Sequence, residues 1–246
     1  MKKNTLIVAL ILLIFFVISF LTNILGPIIP DIIDSFTLSI GLAGFLPFAF
    51  FVAYAVMSIP SGILVEKYKE KKMLIFAFTM AFIGALLFAF IPGFSVALIS
   101  LFIIGIGMAV LQVVINPLLR TAGGEEHFAF NSVMGQLAFG AASFLSPMLY
   151  SYLVTNIHTT DDSLIFSFLN PMVPEDLKWV SLYWVFAAIA FLMVIIVYFA
   201  KFPKVELKSD EKIDVGVAFK ELLANKYVLL YFLGIFCYVG TEQGIA

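Results

Sequence analysis

The chain has 246 residues, 63% of them hydrophobic and 12% charged, with a net charge of −2 and a mean hydropathy of +1.11. A soluble domain carries about 25% charged residues, so this composition excludes an ordinary water-exposed protein and reads as helices apolar all round, buried in lipid or in one another. One cysteine, Cys237, excludes an internal disulfide framework and no Cys/His spacing suggests a metal site, so neither a metal, a cofactor nor a nucleic-acid partner is expected.

Runs of about 20 apolar residues, the length that crosses the hydrocarbon, fall near residues 4–29, 41–65, 72–91, 95–119, 128–154 and 178–201. A seventh begins near 226 and is still running at Ala246. The first follows Met1-Lys2-Lys3 as a signal peptide would. Its apolar stretch is longer than a signal core and no small-residue cleavage site follows, so it is expected to be retained. Of the 14 basic residues only Lys178 falls on the side that holds Asp31, Asp34, Asp161, Asp162, Glu175 and Asp176. The rest, from Lys2 and Lys3 through Arg120 to the lysines of 201–226, fall on the other, which by the positive-inside rule is cytoplasmic together with the N-terminus. Trp179 and Trp184 open span six at the outer face, where amphipathic aromatics favour the interface.

The segment from Lys201 to Lys226 is the longest charged stretch, with Val215, Val217, Phe219, Leu222 and Leu223 among Lys and Glu, as in a surface helix or a solvated linker. Six spans before it and one after it fit a transporter of two six-span halves. The expected fold is therefore all-α and transmembrane. Residues 1–201 form an N-terminal six-helix bundle, 202–225 a cytoplasmic linker and 226–246 the start of a second half, so the sequence is expected to be part of a protein nearly twice as long. The bilayer and the missing C-terminal half are then its partners. Gly26, Pro27 and Pro30 in span one, Gly105 and Gly107 in span four, and Gly135 and Gly140 in span five are expected mainly to let helices approach closely.

A transporter must present hydrogen-bonding groups to its solute at mid-membrane, where they are costly to place. The uncharged polar side chains within spans are the candidates: Thr22 and Asn23 in span one, Gln112 and Asn116 in span four, Asn131 and Gln136 in span five, Thr241 and Gln243 in span seven. Gln112 and Asn116, four apart, share a helical face ahead of Pro117. In the run Phe48, Phe50, Phe51 and Tyr54 of span two, Tyr54 has a hydroxyl that needs a partner. The bland reading is that amides join neighbouring helices, typically for about 0.6 kcal/mol. It fits Asn116 and Asn131, which flank the cytoplasmic loop, better than Gln112 and Gln136. Glu242 is the one acid placed inside a span, about 24 Å beyond the start of span seven at the helical rise. An intramembrane carboxylate marks a functional site by default, here for ion coupling; an ion pair with the missing half is the structural alternative.

The segment Gly62-Ile63-Leu64-Val65-Glu66-Lys67-Tyr68-Lys69-Glu70-Lys71-Lys72 packs six charges between two apolar runs. Its order of glycine, leucine, acid, base and basic cluster resembles the loop between the second and third spans of major facilitator superfamily transporters. Gly105-Ile106-Gly107 through Gln112 to Asn116-Pro117 looks like span four of the fucose/glucose permease branch. Asn131 through Gly140-Ala141-Ala142 to Ser146-Pro147 is similar to that branch's span five, and Phe236-Cys237-Tyr238-Val239-Gly240-Thr241-Glu242 to its span seven. The resemblance implies alternating-access transport of a small solute, a hexose or deoxyhexose, held between two six-helix halves in a bacterial inner membrane. Asn23, Tyr54, Gln112, Asn116, Asn131, Gln136 and Gln243 are the expected sugar ligands, Glu242 the coupling residue, and Gly62, Glu66, Lys67, Lys71, Lys72 and Arg120 the conformational loop.

Two departures bear on coupling. Proton-coupled members of the branch carry carboxylates in spans one and four, where Gly26 and Gln112 stand here; a family amide in span five falls at Met134, with Gln136 nearby. The coupling ion is left as proton, through Glu242, or sodium, with uniport as a third course. An exporter of the same fold is the rival, although span four has no internal basic residue and no proline follows Gly140. An inert membrane fragment is the other. No HExxH, GxSxG or phosphate loop points to an enzyme, and His127 beside Glu125 and Glu126 reads as a solvated turn.

Overall fold

A computed structural model of the chain describes residues 5–23, 25–159, 164–203 and 224–245. All regular structure among them is helical. The elements are α1 (Thr5–Thr22), α2 (Leu25–Phe36), α3 (Ile40–Ala43), α4 (Phe45–Tyr68), α5 (Glu70–Phe90), α6 (Phe94–Gly123), a 3-10 turn (Glu125–His127), α7 (Phe128–Asn156), α8 (Leu164–Leu169), α9 (Val180–Phe199) and α10 (Lys226–Ile245). Six helical stretches, Thr5–Phe36, Ile40–Tyr68, Glu70–Phe90, Phe94–Gly123, Glu125–Asn156 and Val180–Phe199, are long and apolar enough to cross a membrane. The chain divides into a unit of residues 1–205 and a second of 206–246, whose described helix is α10.

The helices of spans one, two, four and five outrun their apolar windows because lipid limits side chains, not helix length. Span one continues seven residues beyond 29 to Phe36, in two pieces. Carrying α1 straight through would need an N–H at position 27 to meet the Asn23 carbonyl, and Pro27 has none. The helix instead restarts at Leu25 with Pro27 in its first turn, where the N–H has no helical partner anyway. Span two continues to Tyr68 and gives way to α5 through a single residue, Lys69, held at φ 73° and ψ 158°. That conformation is favoured only by glycine, so the charged turn is tight and strained. α8, between spans five and six, is not foreshadowed by the sequence; six residues are too few for a periodic signal.

The span-four helix α6 is the hub. It packs against α1, α4, α5 and α7, while α5 also packs on α9 and α1 on α7. Glycines set the closest approaches. A Cβ on Gly105 would lie 2.5 Å from the Phe50 carbonyl of α4 and 3.0 Å from the Ala53 Cβ. One on Gly107 would lie 2.6 Å from the Ala77 carbonyl of α5, and one on Gly135 3.1 Å from the Phe15 ring of α1. Gly26 and Gly140 have nothing within 4 Å, so at those two positions glycine is not required by a neighbour in this unit.

At the start of span six, Trp179 corrects the expectation of an interfacial anchor. It is buried, its indole Nε1 donates to Ser35 Oγ at 2.9 Å, and its ring meets Phe36, Phe88 and Tyr183. Its polar tip found a partner on the end of span one, so the whole ring is spent joining spans one, three and six.

Candidate functional site

Among the candidates, those on α6 are held in the most definite way. Gly105, Gln112 and Asn116 follow at seven and then four residues and share one face, and Gly105 presses that face against α4. Gln112 is half-buried and Asn116 exposed, and neither side chain has a hydrogen-bond partner among the described residues. Pro117 supplies no N–H to the Val113 carbonyl, so that carbonyl lacks its regular helical donor beside the two amides. Tyr54, the residue after Ala53 on α4, is half-buried with its ring 6.3 Å from that of Phe50, and its hydroxyl has no partner among the described residues. The aromatic run separates as alternation on a helix demands: Phe50 is 1% exposed, Phe48 58% and Phe51 49%.

Asn23 and Asn131 are held differently. The Asn23 amide donates to the Ser19 carbonyl at 3.0 Å and to its hydroxyl at 2.9 Å, stitching the break in span one and leaving only its oxygen for another donor. Asn131 is 4% exposed, packed on Gly123 at the C-terminal end of α6, and its Nδ2 lacks a partner among the described residues. A solute reaches Asn131 only if α6 and α7 part there. Gln136, one position beyond the Gly135–Phe15 contact, is exposed on the same open flank of α7 as Gly140.

Spans one and five are joined by hydroxyls that the sequence reading passed over. Ser19 Oγ of α1 donates to the Phe139 carbonyl of α7 at 2.6 Å, and Ser146 Oγ of α7 donates back to the Phe20 carbonyl at 2.9 Å. Both serines are fully buried. Further out, Tyr150 of α7 donates to Asp31 of α2. Buried serines spaced along apolar spans were the available signal. Replacing Ser19 and Ser146 together with alanine is expected to cost about 1 kcal/mol, twice the typical intramembrane bond. Thermal unfolding of the double and single variants in one detergent checks this; no loss in the double variant refutes the weld.

In α10, Thr241 Oγ1 donates to the Cys237 carbonyl of its own helix at 2.7 Å. Glu242 and Gln243 belong to this helix, but their side chains lie outside the described residues.

The charged turn has several separate arrangements. Lys71 Nζ donates to the Ala200 carbonyl at 2.8 Å, capping the C-terminus of α9, and lies 5.9 Å from the Tyr198 ring. Lys67 Nζ stands 5.3 Å over the Tyr68 ring, and Arg120 pairs with Glu125 at 2.8 Å. Glu66 and Lys72 are exposed, and Gly62 faces open space.

The packing of α1, α4, α5 and α7 around α6, with amides unpaired among the described residues on open faces, has clear counterparts among known proteins. The Major Facilitator Superfamily model matches residues 11–245. The L-fucose-proton symporter of Escherichia coli K12 is 28% identical over 256 residues, covering 95% of this chain and 56% of the symporter. A glucose/galactose transporter of Brucella abortus is 25% identical over 236 residues, covering 95% of this chain and 55% of that protein. The crystal structure of the E. coli fucose:proton symporter FucP matches with a TM-score of 0.70 and 24% identity, over 98% of this chain and 61% of FucP. The inward-open xylose transporter XylE of E. coli matches at 0.66 and 13% identity, over 97% of this chain and 56% of XylE. The chain thus spans a little over half the length of the relatives it matches. A model match running through nearly all its helices establishes that the chain belongs to the Major Facilitator Superfamily.

Proposed function

We propose that this chain provides the first half of a sugar transporter, with a cytoplasmic N-terminus, a linker over 202–225 and a second half that begins at span seven. The observation that carries the proposal is the alignment of 95% of the chain with proteins named as a fucose-proton symporter and a glucose/galactose transporter. Unpaired polar groups at Gln112, Asn116, Gln136 and Tyr54, on otherwise apolar helices, are in keeping with it. Sugar hydroxyls are met by amides that both donate and accept, and Gln112, without a protein partner, is free to do so. Asn23 offers its oxygen, Asn131 joins the site only when α6 and α7 part, and Gln243 contributes from span seven. Glu242 is the coupling carboxylate for a proton, with sodium the alternative ion. Glu66, Lys67, Lys71 and Arg120 tie helix ends on the cytoplasmic face during alternation.

The test is uptake of labelled fucose, glucose and galactose into proteoliposomes of the protein joined to its second half, under imposed proton, sodium and null gradients. Uptake of at least one hexose is expected, and no uptake or binding of any monosaccharide ends the sugar assignment. Gln112→Leu, which keeps the volume and removes the hydrogen bonds, is expected to lower sugar affinity about tenfold, the loss of one to two buried hydrogen bonds. Unchanged affinity removes Gln112 from the site.

A further inference from the structure

At the basic end of α4 and α5, Leu64, Tyr68, Lys72, Met73 and Phe76 line an open groove of ≈ 410 Å³. Leu64 lies one turn deeper than Tyr68 on α4, and Phe76 one turn deeper than Lys72 on α5, about 6 Å toward the membrane centre in each case. The groove therefore has an apolar floor at hydrocarbon depth and a polar rim at the headgroups. Lys72 is exposed and makes no hydrogen bond or ion pair among the described residues. Its neighbours are differently placed: Lys71 caps α9, and Lys67 stands over the ring of Tyr68. Neither of the two nearby acids pairs with Lys72. Glu66 is two residues from both Leu64 and Tyr68, which on a helix places it on the opposite side of α4. Glu70 is two residues from Lys72 on α5, buried, and one turn before Met73. Among the described residues Lys72 thus has no acid bonded to it at the rim, and the rim's tyrosine is a residue that favours headgroup level.

We infer that this groove is a binding site for one anionic phospholipid, whose phosphate meets Lys72 beside Tyr68 and whose acyl chain lies along Leu64, Met73 and Phe76. Charge complementarity selects the occupant: a neutral lipid leaves Lys72 without a counter-charge and a zwitterionic one brings a phosphate already offset by its own cation, whereas an anionic lipid, a class concentrated in the cytoplasmic leaflet, supplies net negative charge. The inference is independent of the cargo. It gives the charged turn a lipid-sensing position, since the same turn joins α4 to α5 through the strained Lys69.

The test uses the full-length protein in nanodiscs of phosphatidylcholine doped with phosphatidylglycerol, released into detergent and weighed by native mass spectrometry. Wild type is expected to retain one phosphatidylglycerol in preference to phosphatidylcholine. Lys72→Gln is expected to lower that retention about fivefold, the effect of one surface lysine near a headgroup. Met73→Trp, which fills the groove and keeps the charge, is expected to lower it as well, and Lys178→Gln to leave it unchanged. Retention indifferent to headgroup, or unaltered by Lys72→Gln, overturns the site. Displacement of the lipid by soluble glycerol 3-phosphate at equal concentration also overturns it, because the acyl chain then contributes nothing. If a carbodiimide couples Lys72 to an acid of the linker such as Glu206, the groove belongs to the chain's own linker and the proposal fails.

Discussion

Gly105→Val is expected to cost the six-span unit about 3 kcal/mol and to lower its melting temperature by on the order of 10 °C. Even the first added carbon lies 2.5 Å from the Phe50 carbonyl, which belongs to the backbone of α4 and cannot swing aside as a side-chain tip can. Span two must then move off span four, and Ala53 and Phe50, both fully packed, lose their contacts together. Gly140→Val is the matched control, because nothing lies within 4 Å of that position and its side faces open space. It is expected to change stability by less than about 0.5 kcal/mol, as surface substitutions do. Fluorescence-detected size exclusion and thermal melts of the two variants in one detergent decide the matter. Equal losses would mean that both glycines are needed for some reason other than helix approach.

Glu242→Gln is the second large effect, and it concerns function. If Glu242 takes up and releases the driving proton, the amide holds the site permanently in the neutral form. Gradient-driven accumulation of sugar is then expected to fall to the level of a gradient-free control. Exchange of labelled for unlabelled sugar at equilibrium, which needs no net proton movement, is expected to survive. That split separates coupling from folding, since an unfolded variant loses both activities. Full accumulation in the variant would dismiss Glu242 and turn attention to sodium. If the resemblance sets Gly26 and Gln112 where proton-coupled members of the branch have carboxylates, Glu242 is the decisive residue for a proton mechanism.

Much of the fold was legible in the residues. Windows of apolar residues gave all six spans of the first unit, with ends displaced by a few residues where polar but helical sequence such as Glu66 to Tyr68 continued the helix. The charged turn from Gly62 to Lys72 pointed to the superfamily. Less of the site was legible. Gln112 and Asn116 share a face as their spacing requires, but burial of Asn131 against Gly123 and commitment of Asn23 to Ser19 were not readable, because each depends on which helix lies opposite. Trp179 was misjudged for the same reason: an indole at a span end is equally suited to a headgroup or to a serine on a neighbouring helix.

The sequence by itself determined the six apolar helices of membrane-crossing length in the first unit. That property is local, since a spanning helix satisfies its own backbone and needs only enough apolar side chains to match the lipid. Only the tertiary structure decided which glycines bear contacts, which serines weld spans one and five, and how the lysines of one short turn divide. Lys71 closes a helix end while Lys72 is left free above an apolar groove. Adjacent residues on a helix point 100° apart, and what each meets is set by the packing around it.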